Sequence, residues 1–380
     1  LSSRTLPGRN RSDSRNTSRH LAAVSGDCFA GCVRLVDLER KDYSLLLDHH
    51  IWVVILAAGE GKRVKGLTRD RLGLPAPKQY SLIGSNSTPL EATLERAGRI
   101  APPERIVAVV ARQHRRWWAT ELASLSPRNV IVQPENRGTA AGILLPLLWV
   151  TGNDPDARLV ILPSDHGVAS EDTLHNAITN AIASVPRSNS EMVLLGVQPE
   201  TPETGYGWIV PKPWGESRLR PIACFREKPD PTTTAALFEQ GALLNSFILI
   251  AGGRFLLNMF ETSLPQLWRS FQPVFDGTRN GSRIEQDLAR LYDSVPTLDF
   301  SKDLLEQSTD SLWVHSVPEC GWLDLGTPER LTSRLIAESQ KSRKDPTQQP
   351  NRGPTRALQP PPRVPETTEA AVGVAPHATA

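Results

Sequence analysis

The sequence predicts an α/β protein: a mixed, mostly parallel sheet with helices on both faces. Three observations predict it. From about residue 50 to about residue 338, short apolar runs alternate with longer stretches of helical periodicity, and strands separated by helices of that length pair in parallel. The runs are continuous rather than alternating, as in strands buried on both faces. Hydrophobic residues make up 39 % and charged residues 22 % of the 380 positions, enough for a real core.

The elements follow in order. Trp52–Ala57 reads as a short strand bounded by Gly. The stretch TPLEATLERAGRI offers Thr88 as N-cap, Pro89 at the first helical position and Glu91 three residues after the cap. Leu90, Leu94 and Ala97 follow on one face. Strands are expected at Arg105–Val110, Val130–Gln133, Leu159–Leu162 and Met192–Val197, with helices from about Thr139 to Val150 and Asp172 to Val185. In such a sheet ligands bind beyond the carboxyl ends of the strands. The loop after Ala57 and the PSDH of 163–166 both lie at such ends. The Trp-rich RRWWATEL (115–122) reads as a helical face with one buried Trp rather than a base-stacking surface.

Composition excludes several classes. Lys and Arg number 43 against 41 Asp and Glu, for a net charge of +2, so the basic stripe of a nucleic-acid binder is not expected. No run reaches the roughly 18–20 apolar residues of a membrane span. Cys28 and Cys32 stand close together while Cys224 and Cys320 are isolated, which is neither a disulfide framework nor a zinc spacing. With no secretory apolar segment, a reducing cytoplasm is the expected location. Residues 1–49 are expected to form a poorly ordered leader, 50–338 the folded domain, and 339–380 a Pro-rich disordered tail. The first residue is Leu, and the Ser/Arg-rich composition of 1–20 raises the expectation that the natural start lies downstream; an organellar transit peptide is the alternative.

The loop ILAAGEGKRVKGLT poses the chemical question. A dinucleotide fingerprint requires a third glycine where Val64 stands, and a Walker loop requires wider glycine spacing with Ser or Thr after Lys. What remains is a strand, a glycine turn that bares backbone N–H groups, and the cations Lys62, Arg63 and Lys78, a set suited to a polyphosphate. An ordinary strand-to-helix turn with surface cations remains open on the loop alone.

Seven blocks together carry a resemblance. LAAGEGKRVKGLT…PKQY, QPENRGTAAGI (133–143), LPSDH (162–166), PETGYGWI (202–209), FREKPD (225–230), LLNSF (243–247) and GWLDLGTPERL (321–331) stand in one order over roughly 280 residues. In that order they resemble the sugar-1-phosphate nucleotidyltransferases, specifically the mannose-1-phosphate guanylyltransferase group in a short form without an isomerase domain. The resemblance implies a Rossmann-like sheet of the nucleotide-diphospho-sugar transferase type. It also implies transfer of a nucleotidyl group, GMP from GTP, to mannose 1-phosphate, giving GDP-mannose and pyrophosphate. By the same resemblance, Asp165 and Asp324 hold a Mg²⁺ cofactor, and Arg63 and Lys78 neutralise the triphosphate and the leaving pyrophosphate. Leu56, Ala57, Ala58, Gly59, Gly61, Gln133, Asn136, Gly138 and Thr139 line the nucleotide. Gly205, Tyr206, Gly207, Glu227, Lys228 and Asn245 take the sugar phosphate, with Gly205 and Gly207 letting the sugar ring approach the backbone.

The implied chemistry needs no general base. The attacking phosphate oxygen, with a second pKa near ~6, is already anionic at neutral pH. Gathering like charges in line is the difficulty, so positioning and neutralisation should dominate. His166 is therefore expected to orient its loop, and His49 and His50 to be incidental. Departures such as VKGLT, the missing TAPA, the Trp absent before Asn245 and the added RDRLGLPA (69–76) leave the charged residues intact but touch the pocket that selects sugar and base. The rivals are the same reaction on another pair, such as glucose 1-phosphate with UTP or dTTP, and a non-catalytic nucleotide-sugar-binding regulator. A glycosyltransferase would carry a D-x-D pair where PSDH stands. The Pro-rich remainder after Arg330 is too short for a second enzyme domain, so no isomerase activity is expected. A homodimer is left open.

Overall fold

Seven residues, Ile51–Ala57 (β1), form the strand around which the rest is built. In the computed structural model the described residues are 48–336, apart from 65, 186–190, 214–216, 277–283 and 334. The expectations for the leader, for the tail, and for Cys28 and Cys32 lie outside the described residues. Along β1, Ile51, Val53 and Ile55 enter one core cluster while Trp52 and Val54 enter the other, on the opposite face. A strand covered on both sides can be apolar at every position, hence the unbroken run.

β1 pairs in parallel with β2 (Ile106–Ala111) and β4 (Arg158–Pro163), and β3 (Val130–Gln133) pairs in parallel outside β2. The crossovers are α1 (Pro89–Gly98), α2 (Arg115–Glu121) and α3 (Gly138–Asn153), with α4 (Glu171–Ser184) leading on to β6 (Met192–Val197). α1 starts as expected: Thr88 Oγ1 accepts from the Glu91 N–H at 3.1 Å, and Glu91 accepts from the Thr88 N–H at 2.9 Å. α1 and α4 contribute Leu90, Ala97, Leu174 and Ile178 to one core, and α3 contributes Ile143, Leu144 and Leu147 to the other.

Among the described residues the sheet has nine strands, running β3-β2-β1-β4 and then β9 (Leu243–Gly252), β6, β10 (Leu312–Ser316), β8 (Leu219–Glu227) and β7 (Gly207–Pro211). The expected parallel direction holds for β1 to β4 and β6, but β9 is inserted antiparallel between β4 and β6. Beyond it, β10 is parallel to β6, whereas β8 and β7 are antiparallel to their neighbours. β7 also pairs with the start of β9, closing that half of the sheet on itself. The antiparallel pairings of this sheet all involve β7, β8 or β9, from the carboxyl-terminal half of the chain. α5 (Pro231–Glu239) joins β8 to β9. Then α6 (Gly253–Ser263), α7 (Pro265–Asp276) and α8 (Ile284–Ser294) precede the short α9 (Phe300–Asp303). Core residues of α6, α7 and α8, among them Phe260, Phe271 and Tyr292, pack in the same cluster as those of α3. A two-stranded ribbon, β5 (His166–Gly167) against β11 (Leu323–Asp324), sits apart from the main sheet.

The RRWW reading needs correction. α2 has no fully buried side chain; Trp117 and Trp118 are both half-buried. Trp117 stacks on Tyr80 with 5.7 Å between ring centroids and donates to Asp70 at 3.0 Å, while Trp118 donates to the Ala111 carbonyl at 2.9 Å. Each indole spends its N–H on the protein, as a half-buried Trp does. His50 likewise has a structural partner: its Nδ1 lies 3.0 Å from Asp154. Among the described residues no helix is long and apolar enough to cross a membrane.

Candidate active site

The loop after β1 is held from below by two side chains of the PKQY block. Gln79 Nε2 donates to the carbonyls of Ala57 at 3.1 Å and Gly59 at 2.7 Å, and the Tyr80 hydroxyl donates to Ala57 at 3.1 Å. Both side chains are buried. Ala57 is thereby committed to the support and lines neither of the two cavities found here, contrary to its expected place against the nucleotide. Gly61 takes φ of +59°, a left-handed conformation suited to glycine, and lies against Lys78.

Lys78 is the centre of the arrangement. Its ammonium lies 2.8 Å from Asp165 and 3.0 Å from Asp324. Asp165 stands between β4 and β5, and the ribbon sets Asp324 opposite His166 in register. Two carboxylates distant in the chain thus meet on one buried nitrogen. Burial opposes the charge on Lys78, yet the two carboxylates override it and raise its pKa above the ordinary lysine value. Burial likewise opposes the Asp324 charge, and Lys78, His166 and Arg330 overcome it, holding that carboxyl below the usual range. His166 packs edge-on to Trp322, 5.1 Å between centroids, with Nε2 3.6 Å from Asp165. Burial holds its imidazole below the ordinary histidine value despite the nearby carboxylates. That placement suits an orienting histidine.

Arg330 was not singled out in the sequence, although it stands in the GTPERL block. It is buried, bonds Asp324 at 3.3 Å and Glu203, and lies 4.0 Å over the Tyr206 ring. One guanidinium therefore ties the ETGYG loop to the second acid. A Cβ on Gly205 would stand 3.2 Å from Arg330, and one on Gly207 would stand 2.6 Å from the Glu227 carboxylate and 2.8 Å from Phe225. The bare glycines therefore let these side chains pack against the loop, whose backbone lines the cavity described below.

On the same side, Lys228 Nζ bonds Glu227 at 2.6 Å and remains half-exposed. Lys228 holds φ of +46°, unusual for a residue with a Cβ, and its N–H donates to the Tyr206 carbonyl at 3.0 Å. Burial raises the Glu227 pKa, partly offset by Lys228. Asn245 accepts from the Phe247 N–H at 3.1 Å.

Opposite, Asn136 accepts from the Gly138 N–H at 2.9 Å where α3 begins. That helix start is closed by a segment which local patterns did not reveal. The Leu298 carbonyl accepts from the Ala140 N–H at 3.1 Å, and the Phe300 N–H donates to Thr139 Oγ1 at 2.7 Å. Gln133 is buried and donates to the Tyr292 hydroxyl at 2.9 Å.

Between these walls lies a cavity of about 400 Å³. It gathers Leu56, Ala58, Gly59, Arg63, Lys78, Gln133, Asn136, Gly138 and Thr139 with Asp165, Gly205, Tyr206, Gly207, Glu227, Lys228, Asn245 and Asp324. The expected site residues are therefore brought together, apart from Ala57 and Gly61. Gln79, Phe247, Asp299, Ser301 and Trp322 join them unforeseen. A second hollow of about 320 Å³ opens over Glu60, Gly61, Lys62 and Arg63 and shares Arg63, Lys78, Asn136 and Asp165 with the first. Lys62 points outward and pairs with Glu60 at 2.9 Å. Gly326 leaves space that both Arg63 and Asp324 approach, each within 3.0 Å of where a Cβ would stand.

The donor set suits a small hard cation. Two carboxylates converge within reach of one point, and among the described residues no group of three or more His, Cys, Asp or Glu forms a complete cage. Magnesium is usually held by one or two carboxylates with phosphate and water oxygens completing the shell.

The nucleotidyl transferase family model matches residues 52–337. The xanthan biosynthesis protein XanB of Xanthomonas campestris pv. campestris (strain B100) is 31 % identical over 285 residues, covering 72 % of this chain and 57 % of that protein. A mannose-1-phosphate guanylyltransferase of Escherichia coli K12 is 27 % identical over 289 residues, covering 73 % and 58 %. The chain thus spans less than two thirds of the length of these relatives. Among solved structures, a mannose-1-phosphate geranyltransferase from Thermus thermophilus superposes with a TM-score of 0.62 at 24 % identity, covering 73 % of this chain and 76 % of that one. That likeness concerns the fold alone. By its sequence over residues 52–337, this chain belongs to the nucleotidyl transferase family.

Proposed function

We propose that the protein transfers a nucleotidyl group to a sugar 1-phosphate, releasing pyrophosphate, and that the pair is GTP and mannose 1-phosphate, giving GDP-mannose. The observation that carries the reading is the meeting of Asp165 and Asp324 on Lys78, with Arg63 on one side of the cavity and Lys228 on the other. The relatives named as guanylyltransferases support the choice of base and sugar.

In this reading a sugar-phosphate oxygen attacks the α-phosphorus, the new P–O bond forms, and the bond to the β-phosphate oxygen breaks in line, its electrons leaving with pyrophosphate. No proton need move, because the nucleophile is already an anion. Arg63 and Lys78 neutralise the β- and γ-phosphates, while Lys228 holds the sugar phosphate and Glu227 accepts from sugar hydroxyls. Asp165 and Asp324 would hold Mg²⁺, which would supply further neutralisation of phosphate charge when bound.

The test is pyrophosphate release by the purified full chain from four nucleoside triphosphates against several sugar 1-phosphates. GTP with mannose 1-phosphate is expected to give the highest kcat/KM. Preference for UTP or dTTP with glucose 1-phosphate would move the reading to the neighbouring activity, and no release from any pair would favour a binding regulator. Asp165→Asn is expected to lower kcat about 100-fold or more while the chain stays folded at the assay temperature.

A further inference from the structure

Residues 298–306 join the two walls of the cavity. At one end the Leu298 carbonyl accepts from the Ala140 N–H and the Phe300 N–H donates to Thr139, both at the start of α3. At the other end Glu306 accepts from the Glu227 N–H at 2.7 Å, where β8 ends. Between them Phe300 is fully buried, with its ring centroid 6.3 Å from that of Phe247 and 5.8 Å from that of Phe260. Packing therefore sets this segment from the α3 side and from the β8 side at once.

Asp299 lines the cavity from this segment. Asp303 holds its backbone: the Asp299 N–H donates to the Asp303 carboxylate at 2.7 Å, and the Asp299 carbonyl accepts from the Asp303 N–H at 2.8 Å. Its Oδ1 accepts from the N–H groups of Ser301 at 2.8 Å and Lys302 at 3.1 Å. Among the described residues Oδ2 has no hydrogen-bond partner, and no cation lies within ion-pair distance of the carboxylate. The other acids of the cavity are paired, Asp165 and Asp324 with Lys78 and Glu227 with Lys228. A bare carboxylate repels a phosphate, whereas a hydroxyl donates to it without that cost, and a hydrogen bond to a charged acceptor is among the stronger ones.

We propose that Asp299 is a specificity-determining acceptor for a substrate hydroxyl, on the ribose of the nucleotide or on the ring of the sugar. The assignment rests on the reaction proposed above, whose substrates offer hydroxyls in those two parts. Asp299 stands between the wall of Asn136, Gly138 and Thr139 and the wall of Glu227 and Asn245, where ribose and sugar ring would adjoin. A site built to bond a hydroxyl rejects the analogue lacking it, because its acceptor is then left unpaired.

Equilibrium binding to the full chain, read by calorimetry, tests this without turnover. In one arm the ribose hydroxyls of GDP-mannose are removed one at a time; in the other, those of the mannose ring are. The same arms with UDP-glucose cover the neighbouring pair. The native chain is expected to bind one of these analogues about tenfold or more weakly, and the arm in which it does so tells ribose from sugar. Asp299→Asn caps a helix as Asp does, so the melting temperature should stay close to native. That variant is expected to bind the parent nucleotide sugar and the same analogue about equally. A chain that binds the nucleotide sugar but releases no pyrophosphate would defeat the proposed reaction and leave this assignment standing. A native chain that binds neither nucleotide sugar or distinguishes none of the analogues, or a variant that keeps the native penalties in both arms, would overturn it.

Discussion

Replacing Lys78 with Met probes the centre of the site with a neutral side chain of similar length. In the native protein its ammonium sits 2.8 Å from Asp165 and 3.0 Å from Asp324, and its side chain is 9 % exposed. Removing it leaves two neighbouring carboxylates without their common cation. Breaking a buried ion pair from one side costs about 3–5 kcal/mol. For a domain of this size, that corresponds to a fall of about 5–15 °C in melting temperature. The effect has a signed pH dependence. Asp324 is held below its unfolded pKa, largely by Lys78 once burial is overcome, so its contribution is present above that unfolded value and lost as pH falls. The gap between native and Lys78→Met proteins should therefore be full at neutral pH and shrink as pH falls below about 4, where Asp324 protonates. Thermal melts from about pH 2.5 to 8 read this directly. A gap that is absent at pH 7.5, or equally large at every pH, would refute the account of Lys78 as the cation that keeps Asp324 charged.

Three further outcomes are expected. Glu121 is pushed up to about 7, first by burial and further by Glu91, with Thr88 and Arg71 opposing. The folded chain then holds a proton that the unfolded chain loses from about 4.5 upward, so stability falls as pH rises from 4.5 to 7. Glu121→Gln should match the native melting temperature near pH 5 and exceed it at pH 8; parallel pH profiles would contradict this. Gly138→Ala should lower the melting temperature by several degrees, because its Cβ would fall 2.1 Å from the Leu298 carbonyl at φ of +81°. Arg330→Lys keeps the charge but cannot serve Glu203, Asp324 and the Tyr206 face together, and should reduce kcat about tenfold with a smaller change in melting temperature.

Features decided by neighbours in the chain were legible before any coordinates. The Thr88–Glu91 capping box depends on four consecutive residues and is present as read. Val130–Gln133 and Met192–Val197 are strands over the residues expected, the second buried at every position as a strand covered on both faces is. Arg63, Lys78, Asp165, Glu227, Lys228 and Asp324, which all line the cavity, were legible as well, because each stood in a short block whose order along the chain carried the resemblance.

Tertiary structure alone decided which distant groups meet. Nothing in LLNSFILIAG states that β9 enters antiparallel between β4 and β6, since strand order depends on pairings across many residues. Nothing in GTPERL singled out Arg330, around which Glu203, Asp324 and Tyr206 close. Gly207, which lines the cavity, also leaves the space that Glu227 and Phe225 occupy. Periodicity and motif record what a residue is and how its own segment folds. Which buried charge it neutralises, and which void it fills, is set by segments a hundred or more residues away, whose approach is fixed only when the whole core packs.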